Sequence, residues 1–188
     1  MAYQEAVRPP VPEAPISTPP PAYMDIIAPL IVKARDFLEN GAKLEAFAFV
    51  GNLSTKNVMP VPIDPGSEEN KDESALTIES AAALLEADFV FAVMEAWSLR
   101  ADKMVQMDAI LEKYGSVGAS PFAVDVCALT LETKRGIWVA QPQIKPKGIS
   151  KRKRTFGTVE FRYYDRVEGR FTNMLPTKPG DEPPALLH

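Results

Sequence analysis

Few side chains in this sequence could serve as a nucleophile, a base or a metal ligand. The only histidine, His188, lies in a proline-rich segment, so the sequence predicts no histidine base, histidine metal ligand or Ser-His-Asp triad. The only cysteine, Cys127, lies between Val126 and Ala128 in an apolar stretch without a nearby cation. We therefore expect a buried structural thiol rather than a nucleophile.

Motifs for phosphate, nucleotide and metal binding are missing as well. The sequence has no G-x-S-x-G elbow, no P-loop and no dinucleotide-binding fingerprint. A lone cysteine excludes an internal disulfide and a cysteine-based zinc site. Four carboxylates cluster at Glu68, Glu69, Asp72 and Glu73, but a charge run in a loop is usually solvated. We predict no metal site and no cofactor.

Two carboxylates lie within apolar strand patterns. Alternation along residues 89–99 puts Glu95 on the same face as Trp97, and Asp125 lies in a similar pattern further along the chain. The favoured interpretation is an ion pair for each, for Glu95 with an arginine such as Arg162; the alternative is a general acid or base with a raised pKa. Because no second catalytic group can be named beside them, we predict no catalytic residue.

A basic segment followed by aromatic residues is the best binding signal. Its candidate binding residues are Lys145, Lys147, Lys151, Arg152, Lys153, Arg154 and Phe156. The aromatic residues that follow Phe156 are Phe161, Tyr163 and Tyr164. Cations beside aromatic rings are typical of surfaces that hold single-stranded nucleic acid. Two other interpretations stay open, a contact to an acidic partner and a solvated loop that keeps a strand edge soluble, and the aromatic residues equally fit the core.

Proline divides the chain into three parts. Of 18 prolines, seven lie in residues 1–21 and four in residues 176–188, and neither segment can form regular helix or central strand. We expect residues 1–22 to be an extended arm prone to polyproline II and residues 176–188 a proline-rich tail. Residues 23–175 have the size of one domain. The few apolar residues of the N-terminal arm, Val7, Val11 and Ile16, are candidates for docking to a partner.

Charge is distributed unevenly. Residues 133–170 contain eleven Lys/Arg and three Asp/Glu, a net charge of +8, so in a chain of net charge −4 the remainder carries −12. An acidic protein with such a basic region can still bind a polyanion. The contents of 46% apolar and 24% charged residues are those of a soluble globular protein. With no secretory leader and no long apolar run, we expect a cytoplasmic protein, or one assembled into a virion, and no membrane partner.

The hydrophobic patterns predict an α+β domain with a mainly antiparallel sheet of five to six strands and about three helices. The helices are expected at residues 25–40, 77–87 and 102–114, the second with Thr77 as N-cap after an acidic loop at 64–72. The strands are expected at residues 44–50, 57–63, 89–99, 122–133, 137–144 and 155–165, with a basic loop at 145–154. Pro60 and Pro62 place the second strand at a sheet edge, and the third, apolar on both sides, should be central.

The stretch Val93-Met94-Glu95-Ala96-Trp97, together with the order of the elements over residues 26–144, resembles a group of small uncharacterised bacterial proteins. That group has a polar Ser-Glu-His-Pro-like loop before the next strand, where this chain has only Ala119-Ser120-Pro121. The resemblance implies no function and no functional residues.

Three functions are compatible with these residues. The first is a non-catalytic interaction or assembly protein, such as a component of a phage particle or another multi-subunit complex, that docks through its arms to a protein partner or to further copies of itself. The second is a nucleic-acid-binding protein that uses residues 145–154. The third, disfavoured by the missing histidine, is a carboxylate-based enzyme that uses Glu95 or Asp125.

Overall fold

The structure, a computed structural model, describes residues 15–176 apart from the side chain of Lys151. It contains three α-helices and one 3-10 helix among these residues: α1 (Pro21–Glu39), α2 (Glu68–Leu84), the 3-10 helix (Ala101–Gln106) and α3 (Met107–Tyr114). The strands are β1 (Phe47–Asn52), β2 (Asn57–Pro62), β3 (Phe89–Leu99), β4 (Ala123–Thr133), β5 (Gly136–Ala140), β6 (Ile144–Lys147), β7 (Ser150–Phe156) and β8 (Arg162–Tyr164). The predicted α+β class is confirmed.

Six strands form one antiparallel sheet in the order β2-β1-β3-β4-β5-β8, and β6 and β7 form a separate two-stranded sheet. β3 has the predicted bounds and lies inside the sheet, where it pairs with β4 over its whole length, from Phe89 opposite Thr133 to Leu99 opposite Ala123. The strands expected at residues 122–133 and 137–144 pair as the antiparallel hairpin of β4 and β5, although β5 already ends at Ala140. Its turn ends at Gly136, with φ +141°, where an added Cβ would lie 2.5 Å from the Tyr163 ring.

The sheet lies between two helices. On one face α1 buries Ile27, Ile31, Ala34 and Leu38 in a cluster that includes Phe89 and Phe91 of β3. On the other face α2 buries Ile78, Ala81 and Ala82 against Ala48, Val50 and Val90. Burying both faces of the central strand explains why its sequence is apolar at consecutive positions rather than at alternate ones.

The β2 edge of the sheet presents few hydrogen-bond donors. Ile63, just after β2, donates its N–H to the carbonyl of Ala46. N–H groups of consecutive strand residues point to opposite sides, so the nitrogens of Pro60 and Pro62 face away from β1. The predicted edge position of this strand is confirmed, and its prolines occupy two outward positions where another strand would need an N–H.

The N-terminal arm meets the domain earlier than expected. α1 begins at Pro21 rather than residue 25, and the Pro19 side chain is fully buried. Ile16 forms an isolated antiparallel bridge to Arg162 of β8, and Ser17 donates its N–H to the Phe161 carbonyl at 2.9 Å. Residues 15–18 therefore lie along the β8 edge, while residues 1–14 and 177–188 lie outside the described part of the chain.

Two predicted helices differ from the structure at their start. α2 begins at Glu68, not at Thr77, because Ser67 acts as N-cap and accepts the Asn70 N–H at 3.1 Å. Residues 68–72 of the predicted acidic loop thus form the first turns, where carboxylates interact favourably with the helix dipole. Residues 102–114 divide into the 3-10 helix and α3, since α3 begins only at Met107.

The strand predicted at residues 155–165 is wrong, as is the basic loop before it. β7 begins within the basic segment and ends at Phe156, and β8 begins at Arg162. Phe156 and Phe161 both turn into the α1 side of the core. Since a continuous strand would direct residues 156 and 161 to opposite faces, the chain must bend between them.

Candidate binding surface

The basic segment forms a β-hairpin of β6 and β7. Ile144 pairs with Phe156 at its base and Lys147 with Ser150 near its tip, where the register is irregular after Pro146. Gly148 adopts φ +65° in the turn, a left-handed conformation that favours glycine. The next residue, Ile149, is fully exposed. We call residues 144–156 the basic hairpin.

α1 fixes the base of the basic hairpin to the domain. Arg35 donates Nε–H to the Phe156 carbonyl and an Nη2–H to the Gly157 carbonyl, each at 3.0 Å. Its guanidinium carbon also lies 4.7 Å from the centroid of the Phe156 ring. Phe156, predicted as a candidate stacking residue, is buried in this contact and does not present its ring to solvent.

Glu95 holds the middle of the basic hairpin. Its carboxylate accepts hydrogen bonds from Arg154 Nη1 and Nη2 at 2.7 and 2.8 Å, and from the Leu44 N–H at 3.1 Å. Burial raises the pKa of Glu95, but the hydrogen bonds from Arg154 and Leu44 outweigh it, so the pKa lies below its usual value. The expected ion pair is confirmed, with Arg154 as the partner rather than Arg162.

The five cations of the basic hairpin whose side chains are described fall into two groups. Arg154 binds Glu95, and Lys147 binds Glu39, which also accepts a hydrogen bond from the Thr155 hydroxyl. The exposed residues Lys145, Arg152 and Lys153 form no ion pair within residues 15–176. Three cations therefore face solvent with their charge unbalanced, while two stabilise the hairpin.

Asp125 and Cys127 lie on β4, beside β3. Asp125 is exposed and makes no direct ion pair in the described part of the chain, but, together with the hydrogen bonds to Glu95, its charge helps to raise the pKa of the Arg154 guanidinium. The expected ion pair is thus replaced by a longer-range interaction with Arg154. Strand alternation places Asp125 on the same sheet face as Cys127, beyond the edge of the α1 core. Cys127 is fully buried, and burial, assisted by the nearby charge of Glu95, raises the pKa of its thiol to about 12. The expectation of an unreactive structural thiol agrees with this environment.

Sequence reasoning missed Glu132, a buried carboxylate near the end of β4. It accepts the N–H groups of Met174 and Leu175 at 3.1 and 3.2 Å. Burial raises the pKa of Glu132, and these backbone hydrogen bonds offset only part of the effect. Glu132 thus anchors the segment that crosses the α2 side of the sheet. Its partners are backbone groups about 40 residues away, which carry no sequence signal.

The acidic cluster at the start of α2 fixes the same segment. Arg170 binds Glu68 at 2.5 Å and Asp72 at 3.1 Å. Within residues 15–176 no group of three or more His, Cys, Asp or Glu side chains could hold a metal ion. In the same residues no helix is both long and apolar enough to cross a membrane.

Two open clefts flank the basic hairpin and the arm. One, of about 390 Å³, lies at the hairpin base between Pro142 and Thr158 and includes Lys145. The other, of about 480 Å³, lies between Ile16 of the arm, Val32 of α1 and Phe161. Neither cleft is lined by Glu95, Asp125 or Cys127, so the side chains most suited to chemistry do not line them.

Of the predicted docking residues of the arm, Val7 and Val11 lie outside the described residues. Ile16 is described, and 60% of its side chain is exposed although its backbone bridges to β8.

Comparisons with protein-family models, curated proteins and solved structures found no match to this chain.

Proposed function

We propose that the protein is a non-catalytic interaction or assembly protein, a component of a multi-subunit complex such as a phage particle, that docks through its N-terminal arm. One observation carries the proposal: the base of the arm is fixed to β8 through Ile16 and Ser17, yet Ile16 keeps most of its apolar side chain exposed. An apolar residue held on a fixed backbone loses little entropy when a partner covers it. The apolar residues of the arm that we propose for that role are Val7, Val11 and Ile16.

A matched pair of substitutions tests this role of the arm. Ile16→Ser and Ile149→Ser make the same change at two exposed isoleucines, one on the arm and one at the tip of the basic hairpin. A partner that co-purifies with the full chain should be lost with Ile16→Ser and with deletion of residues 1–14, but retained with Ile149→Ser. Sedimentation of the purified chain tests association with further copies in the same way. Equal association by all variants would reject the proposal.

A second function is favoured by the basic hairpin. Exposed cations on a two-stranded ribbon attract a polyanion, and Lys145, Arg152 and Lys153 have no ion-pair partner among residues 15–176. We propose single-stranded nucleic acid as the polyanion, because phosphate contacts release counterions and drive binding. Oligonucleotide binding measured by anisotropy at increasing salt tests it. Absence of binding at low salt would reject nucleic acid and leave an acidic protein as the alternative.

A further inference from the structure

Trp97 is an exposed aromatic side chain near the end of β3. It is 54% exposed, whereas the other tryptophan, Trp138, is 5% exposed. The indole packs against Gly118, where an added Cβ would lie only 2.3 Å from a ring carbon. A ring supported in this way by backbone needs little ordering before a ligand packs on it.

The neighbours of Trp97 differ in charge. Directly opposite Trp97 on the neighbouring strand β4 is the exposed Asp125. Side chains of directly opposed residues lie on the same face of the sheet, with their Cβ atoms about 5 Å apart. Glu95 precedes Trp97 by two residues and lies on the same face of β3, where its carboxylate binds Arg154 of the basic hairpin. Arg152 follows on the same side of β7 by strand alternation. The exposed ring thus lies beside an exposed carboxylate, on the sheet face that the basic hairpin reaches through Arg154.

We propose that Trp97 and Asp125 form a subsite for one stacked base of a single-stranded nucleic acid whose backbone phosphates contact Arg152 of the basic hairpin. This inference rests on the second function proposed above. An indole face stacks on any base, and an exposed carboxylate repels phosphate, so the base rather than the backbone lies at this end. The carboxylate accepts hydrogen bonds only.

The carboxylate gives the subsite a base preference. Cytosine, adenine and guanine carry an exocyclic amino group that Asp125 can accept from, while thymine and uracil present carbonyl oxygens at the corresponding positions. An oligonucleotide of cytosines should therefore bind more tightly than one of thymines. Exposed tryptophans also occur in protein interfaces, but the unpaired cations of the basic hairpin favour a polyanion, and a protein partner is an outcome of the test.

Tryptophan fluorescence tests the subsite directly. Because Trp138 is buried, quenching by oligo-dC or oligo-dT of about ten nucleotides reports on Trp97. We expect both to quench, with oligo-dC bound roughly fivefold or more tightly. Trp97→Ala should weaken binding about fivefold to a hundredfold, and Trp97→Phe should restore much of it. Circular dichroism of each variant checks that it is folded.

The affinity ratio of the two oligonucleotides isolates the role of Asp125. Asp125→Ala should reduce the ratio to near one, whereas Glu79→Ala, which removes an exposed carboxylate on α2, should leave it unchanged. Binding without quenching and with equal affinity for Trp97→Ala would overturn the subsite and leave the hairpin as a nucleic-acid surface. No binding at low salt would overturn both. Loss of a co-purifying protein with Trp97→Ala, without oligonucleotide binding, would assign Trp97 to a protein interface.

Discussion

Both terminal nitrogens of Arg154 lie within 2.8 Å of the carboxylate oxygens of Glu95. The pair joins the basic hairpin to β3, the central strand of the sheet. About a quarter of each side chain is exposed, so the pair is neither a solvated surface contact nor fully buried. Its energetic contribution should lie between those of the two classes.

Replacing Glu95 leaves the Arg154 guanidinium with a weaker partner. We expect Glu95→Gln to lower the free energy of unfolding by about 2 kcal/mol, measured by urea denaturation. Glu45→Gln removes an exposed carboxylate from the same region and should change stability by less than about 0.5 kcal/mol. Equal effects of the two substitutions would mean that the pair contributes no more than an ordinary surface charge.

Glu95 and Glu132 should give stability opposite dependences on pH. The pKa of Glu95 is lowered on folding, so its contribution is present above the unfolded value of about 4.3 and is lost as pH falls through the folded pKa. The advantage of the wild type over Glu95→Gln should therefore shrink below about pH 4. A pH-independent difference between the two proteins would contradict the assignment.

The pKa of Glu132 is raised on folding, so the sign is reversed. Its contribution is present below the unfolded value of about 4.3 and is lost as pH rises through the folded pKa. Stability of the wild type relative to Glu132→Gln should fall as pH increases over that range. Glu132→Ala, which removes the acceptor for Met174 and Leu175, should lower stability by about 2 kcal/mol. Denaturation curves at several pH values measure both effects.

Salt dependence should separate the two groups of cations in the basic hairpin. If nucleic acid binds there, the double substitution Arg152→Ala and Lys153→Ala should make the log-log salt slope shallower by about 1.5. Lys147→Ala should change it less, since Lys147 already binds Glu39. A larger change with Lys147→Ala than with the double variant would show that the exposed cations are not the contact.

Cys127 should resist thiol reagents in the folded protein. With a buried side chain and a thiol pKa raised to about 12, it has almost no thiolate at pH 8. We expect Ellman's reagent to react only as fast as the domain unfolds, and at once in urea. Rapid, stoichiometric labelling of the native protein would indicate that β4 opens locally.

Local patterns predicted the parts of the fold whose signals lie within a few residues. Phe89–Leu99 was predictable because its apolar run is flanked by clear breaks, and the proline positions of β2 identified an edge. The start of α2 was missed because acidic residues resemble a solvated loop. Ser67 nevertheless carried an N-cap signal. The single strand predicted after residue 155 failed because a bend places Phe156 and Phe161 in the same core.

The candidate surface was less predictable because it depends on contacts between distant residues. The sequence identified six cations but not that Glu39 and Glu95 bind two of them. It identified aromatic residues near the basic segment, yet Phe156 is buried. The exposed ring, Trp97, comes from a strand about 50 residues earlier. Which side chains remain available is decided by tertiary packing.

The prolines of β2 restrict the ways in which copies of this protein can associate. A neighbouring strand could find carbonyl acceptors along that edge but would lack donors at Pro60 and Pro62. At the opposite edge, the chain's own Ile16 already occupies a pairing position on β8. Growth of a continuous intermolecular sheet is therefore disfavoured at both edges, and a contact between copies is expected to use side chains rather than main-chain strand pairing.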